Sequence, residues 1–337
     1  MRPTRMIFFT FAHQNLHTMF FSSRIFFFIF IFPVFLFGQS HPKQKPLVKP
    51  SKIKSKTAYG FDYHFGERKS DSVLFFSKTF NLKGNLIEES SLVEKITYHY
   101  DDNGKLNEEI SYNSDKTIRY KDVYHYDGNG NSADKTEQDA DGNIVFRVMS
   151  KFNEKKLETE KVVSNSLGST LSKHTFFYDM NGNKIKESEF DSTGKELNKN
   201  VSTFNSNHQL LTQCIFQKDS MMSKYIHEYN DAGNKIKTIC YESNGSINYK
   251  SIFQYGSKNN LTEETTYQGI GHVRISYLYD VKGNLVQKTK TNEKGAITSK
   301  VAYRYDDKNL IREEIELDSF DEPQSCIKYF YEFYPAQ

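Results

Sequence analysis

"YHYDDNGKL", Tyr98 to Leu106, has close kin in "YHYDGNGNS" from Tyr124, "FFYDMNGNKI" from Phe176 and "YLYDVKGNL" from Tyr277. Each places two aromatics one residue apart, then an acidic residue, then a glycine three positions on. The second aromatic marks a period. It falls at Tyr100, Tyr126, Phe152, Tyr178, Phe204, Tyr229, Tyr255, Tyr279, Tyr305 and Tyr331, in steps of 26, 26, 26, 26, 25, 26, 24, 26 and 26 residues. A degenerate earlier copy is "TFNLKGNL", with Phe80 and Gly84. Internal repetition of this kind is read before any single element.

A second series lies between the first: Gly142, Gly168, Gly194, Gly245, Gly271 and Gly295, with Ser220 and Asp321 in two slots. Each repeat therefore holds two turns, which leaves about nine residues for each strand. The strands alternate. From Ile297, the positions Ile297, Ser299, Val301, Tyr303 and Tyr305 read as one face, and Thr298, Lys300, Ala302 and Arg304 as the other. Stretches from Ile118 and Ile247 read the same way, with Asp122 the exception on the apolar side. Period two with one wet face means antiparallel strands. The aromatic content, 15% with no tryptophan, suits a pleated, half-buried surface. The expected fold is all-β: an antiparallel meander of about ten hairpin repeats over residues 59–337. A flat sheet of that width would leave its aromatic face bare, so it is expected to curl into a shell-like sheet or to pack as a two-layered β-solenoid.

Turn chemistry accounts for the motif. Asp101, Asp127, Asp179 and Asp280 bond the backbone of the turns they start. Gly104, Gly130, Gly182, Gly233 and Gly283 supply a left-handed corner. Asn259 and Asn309 are the next-best residues for that corner; Lys156 and His208 are worse, and local irregularity is expected at both. The ten marker aromatics are assigned to the structural core. Such rings also bind sugars or peptides by stacking, but their period-two placement favours packing.

The catalytic and metal-binding classes find little purchase. "QDADGNI", Gln138 to Ile144, resembles a calcium loop locally, yet position twelve counted from Glu137 is Val148, where a bidentate carboxylate is required. His99 and His125 share a slot that elsewhere holds Phe177, Glu228, Gln254, Leu278 and Arg304, as an exposed face would. No metalloprotease, hydrolase, thiol-redox or phosphate-loop motif occurs. The expectation is no enzyme, no metal and no cofactor; scattered carboxylates leave a glycosidase-like pair open as an alternative.

Charge is uneven. Residues 1–58 hold nine of the 45 basic residues and none of the 42 acidic ones, so the remainder carries 36 basic and 42 acidic, a balance of −6. An acidic body argues against nucleic acid. Arg24 followed by the uncharged "IFFFIFIFPVFLF", Ile25–Phe37, and then "GQS" reads as a signal peptide over residues 1–38, with Met19 an alternative start. The core is short for a permanent span, so membrane contact is expected only through this segment if it stays uncleaved. Residues 39–58, Pro- and Lys-rich, read as an extended tether. Cys214 and Cys240 differ by one residue in their offset from the preceding turn, which puts them on opposite faces, and no disulfide is expected. Cys214, Cys240 and Cys326 are read as buried thiols.

The motifs "YHYDDNGK", "FFYDMNGNKI", "YLYDVKGNL" and "YRYDDKNL" make residues 76–337 resemble the YD repeats of the bacterial RHS family. The resemblance implies a β-shell that encloses a polypeptide. The chain departs from the family in its longer period and in losing glycine at Lys156, His208, Asn259 and Asn309. The functional expectation is an exported β-repeat protein, in the periplasm, on the outer surface or secreted, presenting an extended surface to a protein or surface polysaccharide. Two alternatives stand: a small shell or cap for a polypeptide encoded elsewhere, and a carbohydrate-binding protein or enzyme.

Overall fold

The computed structural model describes residues 52–64, 66–69 and 71–335. The export signal, and the tether as far as residue 51, lie outside them. The described chain is all strand and turn. It opens with β1 (Ile53–His64), the short β2 (Glu67–Arg68), β3 (Val73–Phe80), β4 (Leu86–Ser90), β5 (Lys95–Tyr100) and β6 (Leu106–Tyr112). Next come β7 (Ile118–Tyr126), β8 (Ser132–Gln138), β9 (Ile144–Phe152), β10 (Glu158–Asn165), β11 (Thr170–Tyr178) and β12 (Lys184–Asp191). Then follow β13 (Glu196–Phe204), β14 (Leu210–Gln217), β15 (Ser220–Tyr229), β16 (Lys235–Glu242), β17 (Ile247–Tyr255) and β18 (Leu261–Gln268). The last are β19 (Gly271–Tyr279), β20 (Leu285–Thr291), β21 (Ile297–Tyr305), β22 (Ile311–Leu317) and β23 (Pro323–Phe333).

From β3 to β23 every strand pairs antiparallel with the next, as the meander requires. The sheet is neither an open solenoid nor two packed layers: it closes on itself as a barrel of 22 strands. The closing strand is β1, which pairs with β3 on one side and β23 on the other. Direction explains why it is needed. An odd-numbered meander, β3 to β23, ends with its first and last strands running the same way. One further antiparallel strand makes the number even and lets every neighbour pair. β1 begins at Ile53, inside the stretch read as a tether, so Ile53–Ala58 form part of the seam.

Register sets the tilt. His125 pairs with Asp134, and Asp134 pairs with Met149, 24 residues on rather than the 26 of the repeat. Each hairpin thus slips by two residues. The seam keeps the same rule, with Tyr331 opposite Lys56 and Lys56 opposite Lys78. Two residues of rise against two strand spacings is a tilt of about 35°, within the range of closed barrels. Equivalent positions of successive repeats therefore ride at equal height around a ring about 130 Å in circumference.

The two faces differ. The marker aromatics and the residues two, four and six before them lie on the less exposed, inner face. Residues one, three and five before them lie on the outer face, as the exposed His99, His125 and Arg304 show. The strand starts are a correction to simple alternation. A bulge near each second turn pairs Ile118, Ile247 and Ile297 with Tyr112, Tyr241 and Thr291, and these isoleucines are exposed rather than inward. The interior is not a filled apolar core. Among the described residues, the buried apolar side chains Phe61, Ile315 and Cys326 cluster across β1, β22 and β23 at the seam.

Candidate binding surfaces

The marker turns and most of the second turns are built alike; two second turns are instead two-residue connections, Lys218-Asp219 and Gly269-Ile270, so Ser220 and Gly271 open strands rather than fill turn slots. At the opening motif, Gly104 N–H donates to the Asp101 carbonyl (2.9 Å), Asp101 N–H to the Lys105 carbonyl (2.8 Å), and Lys105 N–H to the Asp101 carboxylate (2.8 Å). Asp127, Asp179 and Asp280 accept in the same way from the backbone N–H of Asn131, Asn183 and Asn284. Gly104, Gly130, Gly182, Gly233 and Gly283 all have φ between 80° and 87°. "QDADGNI" is one more such turn, with Asp139 accepting from the backbone N–H of Asp141 and Asn143. Hydrogen bonds from Asn131 and Asn183 hold Asp127 and Asp179 below the ordinary carboxylate pKa.

The expected irregularity at Lys156 and His208 is absent. Both hold the left-handed conformation, φ 60° and 61°, and close the same turn bond as glycine. A compensating contact accompanies it. Each of the four non-glycine corners of the marker turns reaches the turn of the preceding repeat: Lys156 Nζ donates to the Asn129 carbonyl, His208 bonds Asn183, and Asn259 and Asn309 bond Asn234 and Asn284.

The marker tyrosines are half-buried and act through their hydroxyls. Tyr126 donates to the Leu106 carbonyl at 2.6 Å, just after the turn of the preceding repeat. Tyr100, Tyr178, Tyr229, Tyr255, Tyr279, Tyr305 and Tyr331 make the equivalent bond at 2.7–3.0 Å. Phe152 and Phe204 occupy the same place without a hydroxyl. The ladder ties each hairpin to its predecessor. Its signal in the sequence was the preference for Tyr over Phe, eight to two, which an apolar core would not impose.

Around this ladder the inner wall is polar. Tyr124 donates to Glu109 and Tyr329 to Glu314, both at 3.4 Å, and Lys78 donates to Glu89 at 3.0 Å. Asp122, the exception noted in the alternation, is buried and held by Lys135 at 2.6 Å. Burial, reinforced by Glu109, pushes Tyr98 up to about 12. Lys56 on the closing strand is lowered, first by burial and then by Lys78, and lies 4.6 Å above the Tyr329 ring. His227 donates to or accepts from Thr238 at 2.9 Å and is lowered to about 4 by burial.

The outer wall carries a feature that alternation alone did not single out. Five residues before the marker stand Lys95, Lys121, Arg147, Lys173, Lys199, Lys224, Lys250, Arg274 and Lys300: nine bases in ten repeats, all at one height, in mid-strand except Lys95, which opens β5. Only Cys326, buried in the seam cluster, departs. Aligning the repeats on their marker would have exposed this belt. Along much of the ring the preceding strand supplies a carboxylate to each base. Lys95 meets Glu88 at 2.8 Å, Lys121 meets Glu108 at 3.3 Å, Arg147 meets Asp134 at 2.7 Å and Lys173 meets Glu160 at 2.5 Å. The three cysteines are free: Cys240 is buried on the inner face, while Cys214 is only partly buried on the outer. Among the described residues no group of three or more His, Cys, Asp or Glu is placed to hold a metal.

The family model described as "Protein of unknown function (DUF2963)" matches residues 216–267, a minor part of the chain. No curated protein matches. Among solved structures, the chain is similar to the TcdB2-TccC3-Cdc42 crystal structure at 10% identity and TM-score 0.45, over 76% of this chain and 16% of that one. A Photorhabdus luminescens Tc holotoxin pore gives 12% identity and TM-score 0.34, over 80% of this chain and 18% of that one. A porin-like protein from Bacteroides uniformis gives 11% identity and TM-score 0.32, over 83% and 98%. The chain thus spans less than a fifth of the length of these toxin chains.

Proposed function

We propose that this protein is an exported, non-enzymatic β-repeat ring that works by binding another macromolecule on its water-facing surface. The observation that carries this reading is the basic belt. A barrel set in lipid needs an outward apolar band about 25 Å tall, and a Lys or Arg at the bilayer midplane costs about 2–4 kcal/mol. Nine such residues at one height suit water instead. Much of the remaining polar chemistry is spent on architecture, in the tyrosine ladder and the turn carboxylates. A second reading, a shell around a polypeptide, is favoured by the polar inner wall of Tyr, Glu and Lys.

Photo-crosslinking in the exporting cell separates the two. A photoreactive residue is placed at Lys250 on the outer face or at Tyr303 on the inner face. Adducts to a macromolecule from Lys250 are expected. Adducts from Tyr303 alone favour the shell, and none from either position contradicts a binding role.

A further inference from the structure

Along one arc of the outer wall, aromatic rings stand in register with the basic belt. Each belt residue pairs across the ladder with the residue twelve after the same marker. Opposite Lys121, Arg147 and Arg274 that residue is polar: Gln138, Ser164 and Thr291. From β13 to β18 it is aromatic at every belt position. Phe216 faces Lys199, Tyr241 faces Lys224 and Tyr267 faces Lys250. Tyr267 is 47% exposed, and His272 on the next strand brings its ring within 5.6 Å. Beside the arc, Lys186 faces Phe177, and its Nζ lies 5.5 Å from the ring centre.

The lysines of this arc have also lost their usual partners. Eight residues after each marker, Glu108, Asp134 and Glu160 serve Lys121, Arg147 and Lys173. The slots that would serve Lys199, Lys224 and Lys250 hold Lys186, Thr212 and Lys237 instead. Lys199 finds replacements: Glu196 at 3.3 Å, Asp219 at 3.8 Å, and the Phe216 ring, 5.0 Å beneath its Nζ. The other two pairs find none. Among the described residues, no carboxylate lies within ion-pair distance of Lys224 or Lys250, and no cation lies over Tyr241 or Tyr267. Charges and rings that break a local rule without a structural return mark functional surface.

Spacing decides the ligand. The lysine–aromatic pairs recur on every second strand, about 12 Å apart along the tilted ring. An evenly spaced row fits a polymer that repeats a flat group and an anion at the same interval. A stacked nucleic-acid strand carries a phosphate about every 3.4 Å, far denser than one lysine per pair, and the acidic excess of the body opposes it. A polypeptide carries no flat group at such an interval. An acidic polysaccharide of disaccharide units offers both: a pyranose face to lie on a ring, and one carboxylate per unit to pair with a lysine. We infer that the outer face of β13–β19 binds an anionic polysaccharide lengthwise around the ring, one disaccharide to each lysine–aromatic pair. This rests on the binding role proposed above and names where, and with what ligand chemistry, it acts.

The test uses fluorescence anisotropy on the full chain, with a fluorescein-labelled hyaluronan decasaccharide, one carboxylate per disaccharide, as the probe. Binding is expected at low salt. It should weaken at least tenfold in the Tyr241→Leu, Tyr267→Leu variant, which keeps apolar bulk but loses the flat faces, and in Lys224→Gln, Lys250→Gln. It should stay unchanged in Tyr112→Leu, Lys121→Gln, outside the arc. A tetrasaccharide, too short to reach a third pair, should bind at least tenfold more weakly than the decasaccharide. Circular-dichroism melts confirm that the variants fold. No binding at low salt, full binding by the two-leucine variant, equal loss in the control, or equal competition by oligothymidylate or polyglutamate overturns the inference. Crosslinks from Lys250 to a protein would leave the general binding role standing while removing this ligand, so the two can fail separately.

Discussion

His208 Nδ1 lies 3.0 Å from Asn183 Oδ1, so the left-handed corner of one turn is tied to the turn before it. The same corner is glycine in five of the marker turns, Gly104, Gly130, Gly182, Gly233 and Gly283. Where a side chain occupies it, the strain of a positive φ is offset by a bond between turns.

His208→Gly removes both the strain and the bond. The two effects are each about 1 kcal/mol, so the melting temperature should move little. Gly283→Val has no such offset. Nothing lies within 4 Å of a Cβ at Gly283, so the cost is backbone strain alone at φ +87°, about 1–3 kcal/mol. Gly283→Asn should cost less than Gly283→Val. Urea unfolding of the three variants checks the order, and a Val variant as stable as wild type would remove the turn assignment.

Tyr126→Phe deletes the hydroxyl that bonds the Leu106 carbonyl and keeps the ring. A loss of about 0.5–1.5 kcal/mol is expected. Phe152→Tyr adds a hydroxyl at an equivalent place and should be neutral or stabilising. Denaturant midpoints measure both.

The repeat, the strands and both turns were legible in the sequence because each is local. Aspartate and glycine at fixed spacing specify the corner, and alternation specifies the faces in mid-strand. Curling was expected from the bare aromatic face, but the strand that closes the ring was not legible. Closure depends on Ile53–His64, which precede the first repeat and begin as "IKSK", read as tether. The alternation also failed at Ile118, Ile247 and Ile297, because a bulge turns each strand's first residue outward. The tyrosines looked like core because a ring's burial and its hydroxyl's bond leave the same mark in a single sequence. The basic belt needs the repeats aligned on one another before it shows.

Stability should fall on mild acidification through His227. Its pKa is about 4 in the fold, lowered by burial, against about 6.5 unfolded. Below about 6.5 the unfolded chain takes up a proton that the fold refuses, so stability drops progressively towards pH 4 and this contribution then levels off. His227→Gln should flatten that part of the profile. Asp127 and Asp179 act in a second window. Their folded values are depressed by Asn131 and Asn183, so the stability they supply is complete above about pH 4 and is lost as pH falls further through the folded values. Urea midpoints across pH 3 to 7 measure both windows.

Ala58 on β1 is fully buried and pairs with Phe76 on β3 and Tyr329 on β23. Ala58→Leu overpacks the seam and should cost about 1–3 kcal/mol. It should also expose the edges of β3 and β23, which promotes association. Light scattering alongside thermal melting distinguishes seam opening from general destabilisation.

Hydrogen exchange at the seam tests closure most directly. If β1 completes the ring, the backbone N–H groups of residues 55–62 should be protected as strongly as those of mid-meander strands such as β13, and β3 and β23 should show no exposed edge. Rapid exchange across β1, with fraying of β3 and β23, would mean an open sheet and would contradict the ring.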